Sequence, residues 1–442
     1  MKIKVIMFAL IVGIIYSIGG VLTFLLHNDN NMFTFYASGG SFDATGYAIK
    51  IHYFAITNQL PSIYCFQDAI ITIIFGTINK IVSVDYIFIF GSLIFLPILF
   101  IVLYYLSIEF GLSENHSVLS ALSIISLSHL INFIPTIHPE RMLIEFYNGF
   151  PTYQVRFPQT VVSGILFFLT FILLYRIIFS NKKIGILVGF LSGIMMYTYF
   201  YYGSFLLMLS IVYAIISVKN TTVFKELLKA LFIAILMTLP AIYISIGAPE
   251  WIKEITEVQL YSLSFDYVFS TIKLATIGII IILFVNKFIG TSILLALALK
   301  ILGQGIIPMS FHYEWVIIFP LIILASIIFI SKYLQQKTAL IISFALIAII
   351  ICGQINIGTS NYTPTRNNSF IDNEINKMLY SSNVNEVYPV ILLKNKPSEI
   401  IEKLKFTDEE LKNDQEICTY VYHRTKCNIT GFPLKTITTN NR

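Results

Sequence analysis

The sequence predicts an all-α polytopic membrane protein with about eleven transmembrane helices. Charged residues make up only 12% of the 442 residues, against roughly a quarter in a soluble domain. Apolar runs of about 18 or more residues, each able to cross roughly 30 Å of hydrocarbon as a helix, recur from Ile3 to Ile355. These runs lack the strict alternation of a membrane β-barrel, and a helix satisfies its own backbone hydrogen bonds in lipid.

The distribution of lysine predicts the direction in which the chain crosses the membrane. Lys2 and Lys4 precede or open the first apolar run, residues 3–26, so we expect a cytoplasmic N-terminus. Residues 27–66 contain Lys50 as their only lysine or arginine, so we expect this loop to lie outside.

The apolar run at residues 63–82 is not expected to cross the membrane. If it crossed the membrane together with residues 86–108, Lys182 and Lys183 would lie outside. We therefore expect residues 63–82 to form a juxtamembrane helix on the outer face, which reduces the count from twelve spans to about eleven.

The remaining runs alternate in direction, with lysines at their cytoplasmic ends. They occupy residues 86–108, 118–134, 161–179, 184–199, 203–218, 231–246, two stretches around Lys287, 316–330 and 339–355. An aromatic turn joins residues 184–199 to 203–218 on the outer side, and Lys219, Lys225 and Lys229 mark a cytoplasmic loop.

This pattern predicts two domains in a multi-pass protein of the plasma or inner membrane. Residues 1–355 form the transmembrane domain, with outer loops at 27–85, 135–158, 247–270 and 308–315, and residues 356–442 form a small extracytoplasmic α+β tail. In the tail, Cys418 and Cys427 could form a disulfide. Cys65 and Cys352 lie in or beside apolar runs and are expected to be small buried hydrophobes.

Ionisable side chains close to the membrane are costly and usually functional. Here they collect on the predicted outer side, which indicates an outward-facing polar cavity. The residues concerned are Asp43, Asp68, Glu140, Arg141, Glu145, Arg156, His312 and Glu314.

Asp43 could have a catalytic role or a structural role. A carboxylate near the bilayer could act as general base on a hydroxyl acceptor or could hold a divalent metal. Asp43 could equally cap a helix that begins near Ala44, and both roles can coexist.

The two outer-loop arginines and the segment around His312 could likewise have either a binding role or a structural role. Arg141 and Arg156 could hold a lipid phosphate through the planar guanidinium. They could instead pair with Glu140 or Glu145, or extend towards water. His312 and Glu314 could line the cavity or could belong to an interfacial aromatic belt.

Several motifs occur together in one order along the chain. Asp43 is followed four residues later by Tyr47, and Pro61 opens the outer-face helix that ends near Lys80. Further along come Glu140-Arg141, Tyr175-Arg176, the glycine-punctuated run from Gly185 to the aromatic turn at Tyr202, and the segment His312–Pro320. In this order the chain resembles the class C (GT-C) membrane glycosyltransferases, in the branch of protein mannosyltransferases and aminoarabinose transferases.

The resemblance implies transfer of a sugar from a polyprenyl-phosphate-linked donor to a glycan, lipid or protein acceptor at the outer face. It implies Asp43 as the catalytic base, with Tyr47, Asp68, Glu140, Arg141, Arg156, His312 and Glu314 binding substrate. The chain departs from the family where Ala44 replaces the second acid that often follows the first, and where Glu140-Arg141 reverses the usual order. A divalent metal therefore stays an open question, and no nucleic-acid partner is expected.

Other functions remain alternatives at this point. A polysaccharide polymerase also uses outer-loop arginines and lipid-linked sugars, and an inactive relative is consistent with the missing second acid. A flippase or transporter of lipid-linked glycans would need charges buried within a span, for which Lys300 is the candidate.

Overall fold

The computed structural model describes residues 3–26, 68–82, 84–126, 158–246, 265–303 and 312–359, together with Tyr47, Lys50, Ile51, Phe54, Ala55, Asn58 and Leu60. Within these residues every regular element is helical. The elements are α1 (Ile3–Leu26), α2 (Ala69–Asn79), α3 (Val84–Glu109), α4 (Glu114–Ile125), α5 (Gln159–Ser180), α6 (Gly185–Met195), α7 (Phe200–Ile216), α8 (Thr221–Ile246), α9 (Phe265–Phe284), α10 (Lys287–Leu302), a π-helix (Glu314–Ile318), α11 (Phe319–Ile330) and α12 (Gln336–Thr359).

The surface of the bundle is apolar. Among the described residues, three helices are long and apolar enough to cross a membrane, at Tyr86–Glu109, Gln159–Ser180 and Thr221–Tyr243. Large apolar side chains such as Phe232 and Leu283 are 67% and 68% exposed, which is unfavourable in water and ordinary in lipid. The described architecture is compatible with an all-α membrane protein.

The described turns that follow α3, α5, α7, α9 and α11 lie at one end of the bundle. Side-chain hydrogen bonds at this end join turns that are far apart in sequence. They connect Arg176 with Glu109, Gly185 with Glu226, Asn220 with Asn181, and Asn115 with the Gln336 carbonyl. We call this end the basic end, because it exposes Lys182, Lys183, Lys219, Lys332 and Lys337.

Glycines allow two pairs of helices to approach closely. A Cβ at Gly189 of α6 would lie 2.4 Å from the carbonyl oxygen of Ala230 in α8, so a side chain there would force the helices apart. A Cβ at Gly13 of α1 would lie 2.6 Å from the Pro97 ring in α3. Because small residues permit close backbone contact between helices in lipid, these positions determine how the pairs pack.

Aromatic rings fill the contact between α5, α7 and α10. The ring of Phe288 lies 4.8 Å from that of Phe171 and 5.3 Å from that of Tyr213, measured between centroids. Nearby, the rings of Phe167 and Tyr202 stack at 4.3 Å. The contacts of Phe288 lie towards the basic end, where α10 begins, whereas the stack of Phe167 on Tyr202 joins the third turn of α5 to the first turn of α7.

Helix α2 stays at that opposite end. Its first residue follows Asp68, which pairs with Lys50, and the chain just beyond its last turn carries Lys80, which donates a hydrogen bond to Asn58. Both ends of α2 therefore contact the same segment of the first loop. The sequence predicted a longer outer-face helix over residues 63–82, and the described helix is Ala69–Asn79.

Some boundaries differ from the sequence-based expectations. α8 begins at Thr221, so Lys225 and Lys229 lie on a helix and not in a loop. Long lysine side chains can extend from the end of a helix towards water. Lysines therefore suggested a loop at residues where the backbone is already helical. α6 ends at Met195, four residues earlier than expected.

Three other expectations need correction. α9 begins at Phe265, inside the loop predicted for residues 247–270, and α12 runs from Gln336 to Thr359, beyond both ends of the predicted span 339–355. Cys352 is exposed on α12 and is not a buried hydrophobe. The apolar composition of α12 made burial the natural expectation, but an apolar side chain in lipid gains nothing by facing inwards.

Candidate functional site

Tyr47 and Gln159 connect the first loop to the start of α5. The buried hydroxyl of Tyr47 donates a hydrogen bond to Gln159 Oε1. The Gln159 amide in turn donates to the Thr198 carbonyl at 3.1 Å, in the aromatic turn between α6 and α7. Because buried polar groups are costly unless paired, this chain of hydrogen bonds fixes the three segments together.

Lys50 and Asp68 form a buried ion pair next to this connection. Lys50 Nζ lies 2.6 Å from Asp68 Oδ2, and the two side chains are only 10% and 6% exposed. Lys50 Nζ also lies 5.6 Å from the centroid of the Tyr47 ring. The backbone N–H of Ile70 donates to the Tyr197 carbonyl at 3.3 Å, which joins α2 to the same aromatic turn.

His312 lies within a group of aromatic rings. Its Nδ1 shares a hydrogen bond of 2.7 Å with the Tyr199 hydroxyl. The imidazole stacks on Trp315 at 5.3 Å between centroids and lies 4.7 Å from the Tyr201 ring. Aromatic rings combined with a small number of hydrogen-bonding groups are typical of the lining of ligand pockets.

Glu314 pairs with Lys300. The side chains of Lys300 and Glu314 are only 5% and 12% exposed. Lys300 lies in the last turn of α10, and Glu314 is the first residue of the π-helix. From the sequence, Lys300 was the candidate for a charge in the middle of a span. In the structure α10 ends two residues later, at Leu302, so Lys300 lies near the end of its helix. π-Helical turns are rare in proteins, and those that do occur are often found at functional sites.

Tyr313 lies between His312 and Glu314 and contacts α7. Its hydroxyl shares a hydrogen bond of 2.8 Å with Ser204. Burial raises the pKa of Tyr313 to about 12, and the hydrogen bond with Ser204 opposes part of that rise. The phenol is therefore protonated at neutral pH and serves as a hydrogen-bonding group, not as a base.

These groups form one site at the end of the bundle opposite the basic end. We call it the polar cluster, and it consists of Tyr47, Lys50, Asp68, Gln159, Tyr199, Lys300, His312 and Glu314. Aromatic rings combined with a few hydrogen-bonding groups in an apolar bundle could contact a ligand that carries hydroxyl groups.

Sequence reasoning identified half of the polar cluster. Tyr47, Asp68, His312 and Glu314 were candidate binding residues, and the structure brings all four to one end of the bundle. Lys300 was named only as the buried charge that a transporter would need, and Lys50 only as a marker of topology. Gln159 and Tyr199 were not identified as site residues. Two signals in the sequence could have identified Lys50 and Gln159. Lys50 is the single lysine or arginine of residues 27–66, and Gln159 is a polar residue at the start of an apolar run.

The other candidate residues lie outside the described residues. These are Asp43, Glu140, Arg141, Glu145 and Arg156, and the same holds for Cys65 and for Cys418 and Cys427 of the tail. Within the part of the chain that the structure describes, no group of three His, Cys, Asp or Glu side chains could hold a metal ion.

Comparison of the chain with protein-family models, with curated proteins and with solved structures found no match.

Proposed function

We propose that this protein is a GT-C-like membrane enzyme that transfers a sugar from a polyprenyl-phosphate-linked donor to an acceptor at the outer face. The observation that carries the proposal is the polar cluster, which concentrates buried charge and hydrogen-bonding aromatic groups at one end of an apolar bundle. It contains Tyr47, which follows the proposed catalytic Asp43 by four residues.

The proposed topology has eleven membrane-spanning segments. α2 is not among them, because both its ends contact the same loop segment. The other helices, with the π-helix and α11 counted as one segment, give the eleven spans. The exposed lysines of the basic end favour a cytoplasmic position for that end and for the N-terminus. The polar cluster, and the tail after residue 359, would then lie outside.

The proposed reaction needs a base and accurate positioning. A hydroxyl oxygen of the acceptor attacks the anomeric carbon and forms the new C–O bond. The bond from that carbon to the phosphate oxygen breaks, and its electron pair leaves with the polyprenyl phosphate. Asp43 takes the acceptor proton, and attack in line with the leaving group inverts the anomeric centre.

The other candidate residues would bind the two substrates. Arg141 and Arg156 would hold the donor phosphate through their guanidinium groups. The rings around His312 would contact the sugar, while the ion pairs of the polar cluster would hold the side chains of Asp68 and Glu314 in position. The polyprenyl tail would lie against the apolar surface between helices.

Transport of a lipid-linked glycan is the second candidate function. Buried ion pairs are characteristic of transporters, and the pairs Lys50–Asp68 and Lys300–Glu314 are both buried. Transport also needs such groups along the path across the membrane. Both pairs belong to one end of the bundle, which favours a surface reaction. A polysaccharide polymerase would use the same cluster with a growing glycan as acceptor.

The proposal is tested by replacing Asp43 with asparagine. Asp43→Asn should abolish sugar transfer from lipid-linked donors in isolated membranes, because the amide cannot take the acceptor proton. Glu109→Gln is the matched control, since it makes the same carboxyl-to-amide change at the basic end and should retain activity. Both proteins should elute as folded monodisperse species. Full activity of Asp43→Asn would remove this residue from the mechanism.

A further inference from the structure

A groove at the basic end lies far from the polar cluster. It has a volume of about 730 Å³ and runs between α6 and α8. Its walls are almost entirely apolar and are formed by Ile186, Leu187, Phe190, Ile233, Leu236 and Met237. Leu187 and Leu236 are 46% and 52% exposed, so the groove opens onto the outer surface of the bundle.

The close contact between α6 and α8 gives the groove its floor. The glycine at position 189 leaves no side chain between the two backbones, while larger apolar side chains project on either side of the contact line. From Glu226 to Met237, α8 rises about 16 Å, which is close to half of the roughly 30 Å hydrocarbon thickness. The groove therefore has the length of one lipid leaflet.

The mouth of the groove is positively charged. Glu226 is buried there and accepts hydrogen bonds from Lys229 Nζ at 2.7 Å and from the Gly185 N–H at 2.8 Å. Lys183 also lines the mouth, and among the described residues no carboxylate lies within ion-pair distance of it. Two lysines and one carboxylate leave a net charge of +1 beside the apolar walls.

The surrounding sequence strengthens this charge. Residues 181–230 contain five lysines and Glu226 as their only acid. A basic site between membrane helices, continuous with an apolar groove, matches the two parts of an anionic lipid. We propose that this groove binds an anionic phospholipid, with its phosphate against Lys183 and one acyl chain between α6 and α8. The site is at the opposite end from the polar cluster and does not depend on the proposed sugar transfer.

Lipid retention by the full-length protein tests this site. The protein is reconstituted in phosphatidylcholine nanodiscs that contain increasing phosphatidylglycerol, and native mass spectrometry counts the lipids that remain bound. We expect preferential retention of one phosphatidylglycerol. Lys183→Gln should weaken it about fivefold, because a lysine near anionic lipid contributes about 1 kcal/mol.

Two further variants separate this site from general charge effects. Lys337→Gln makes the same charge change at an exposed position of the same end and should leave retention unchanged. Leu187→Trp fills the groove from an exposed position and should reduce retention without changing the charge. Helix content by circular dichroism shows that each variant is folded.

Three results would overturn the proposal. One is equal retention of phosphatidylglycerol and phosphatidylcholine by the wild-type protein. Another is an equal loss of lipid in Lys183→Gln and Lys337→Gln, which would indicate a diffuse charge effect. The third is a dimer that disappears in Leu187→Trp, because the occupant of the groove would then be a second copy of the chain.

Discussion

Replacing Lys300 with methionine should destabilise the protein strongly, because it leaves the carboxylate of Glu314 buried without its partner. The two side chains are 5% and 12% exposed, so water can replace little of the lost interaction. Breaking a buried ion pair by removing one partner typically costs about 3–5 kcal/mol. At about 1.4 kcal/mol for each factor of ten, this corresponds to a loss of roughly two to four orders of magnitude in the folding equilibrium constant.

The double variant gives the sharper test of the same contact. Lys300→Met combined with Glu314→Leu replaces the pair with apolar side chains of similar volume, which is often neutral or stabilising. The double variant should therefore be more stable than either single variant, with a coupling energy of at least about 3 kcal/mol. Free energies of unfolding measured by denaturing-detergent titration of the purified protein would supply the cycle.

The ion pair between Arg176 and Glu109 provides the matched control. Arg176 Nη2 lies 2.6 Å from Glu109 Oε2, but the two side chains are 45% and 20% exposed. Arg176→Met should therefore cost less than about 1 kcal/mol. If Lys300→Met cost no more than Arg176→Met, or if the two single effects simply added, the pair at the polar cluster would not be a desolvated contact.

Three other changes test separate parts of the structure. Tyr47→Phe removes the donor to Gln159 and should lower the free energy of unfolding by about 1–3 kcal/mol in the same titration. Gly189→Leu inserts a side chain where α6 and α8 touch, and should destabilise by about 1–3 kcal/mol or more through overpacking. In a cysteine-free background, Lys80→Cys should react with an impermeant thiol reagent added outside the cell, and Lys332→Cys only after the membrane is opened.

Each of these expectations can fail in a specific way. Wild-type stability of Tyr47→Phe would mean that water satisfies Gln159 in place of the phenol. Unchanged stability of Gly189→Leu would show that the two helices have room to separate. Labelling of both cysteines from the same side would contradict the proposed topology, because Lys80 and Lys332 belong to opposite ends of the bundle.

Helix positions followed well from local sequence, because a membrane helix needs mainly an unbroken apolar run. α1 has the predicted bounds, 3–26, and α5 extends the predicted 161–179 by only a few residues. Predictions failed where charge was used to set a boundary. Lys225 and Lys229 suggested a loop, but the first turns of α8 present them at the basic end, where lysine side chains can reach water.

The polar cluster was harder to predict, because its contacts join residues that are far apart in sequence. Asp68 and Glu314 were recognisable as membrane-proximal acids, but their partners Lys50 and Lys300 are identified only when the chain is folded. Gln159 gave even less indication, since its role arises from simultaneous contact with the first loop and the aromatic turn. Such residues are brought into the polar cluster by tertiary packing rather than by a local motif.

The most direct test of the proposed function follows the lipid product in proteoliposomes that contain only the purified protein. Polyprenyl-phosphate donors carrying labelled hexoses or pentoses would be supplied with glycan, lipid and protein acceptors, and free polyprenyl phosphate would be measured. The proposal predicts acceptor-dependent release of polyprenyl phosphate by the wild-type protein and none by Asp43→Asn. Movement of the intact donor across the bilayer, with its sugar still attached, would contradict sugar transfer and would support transport.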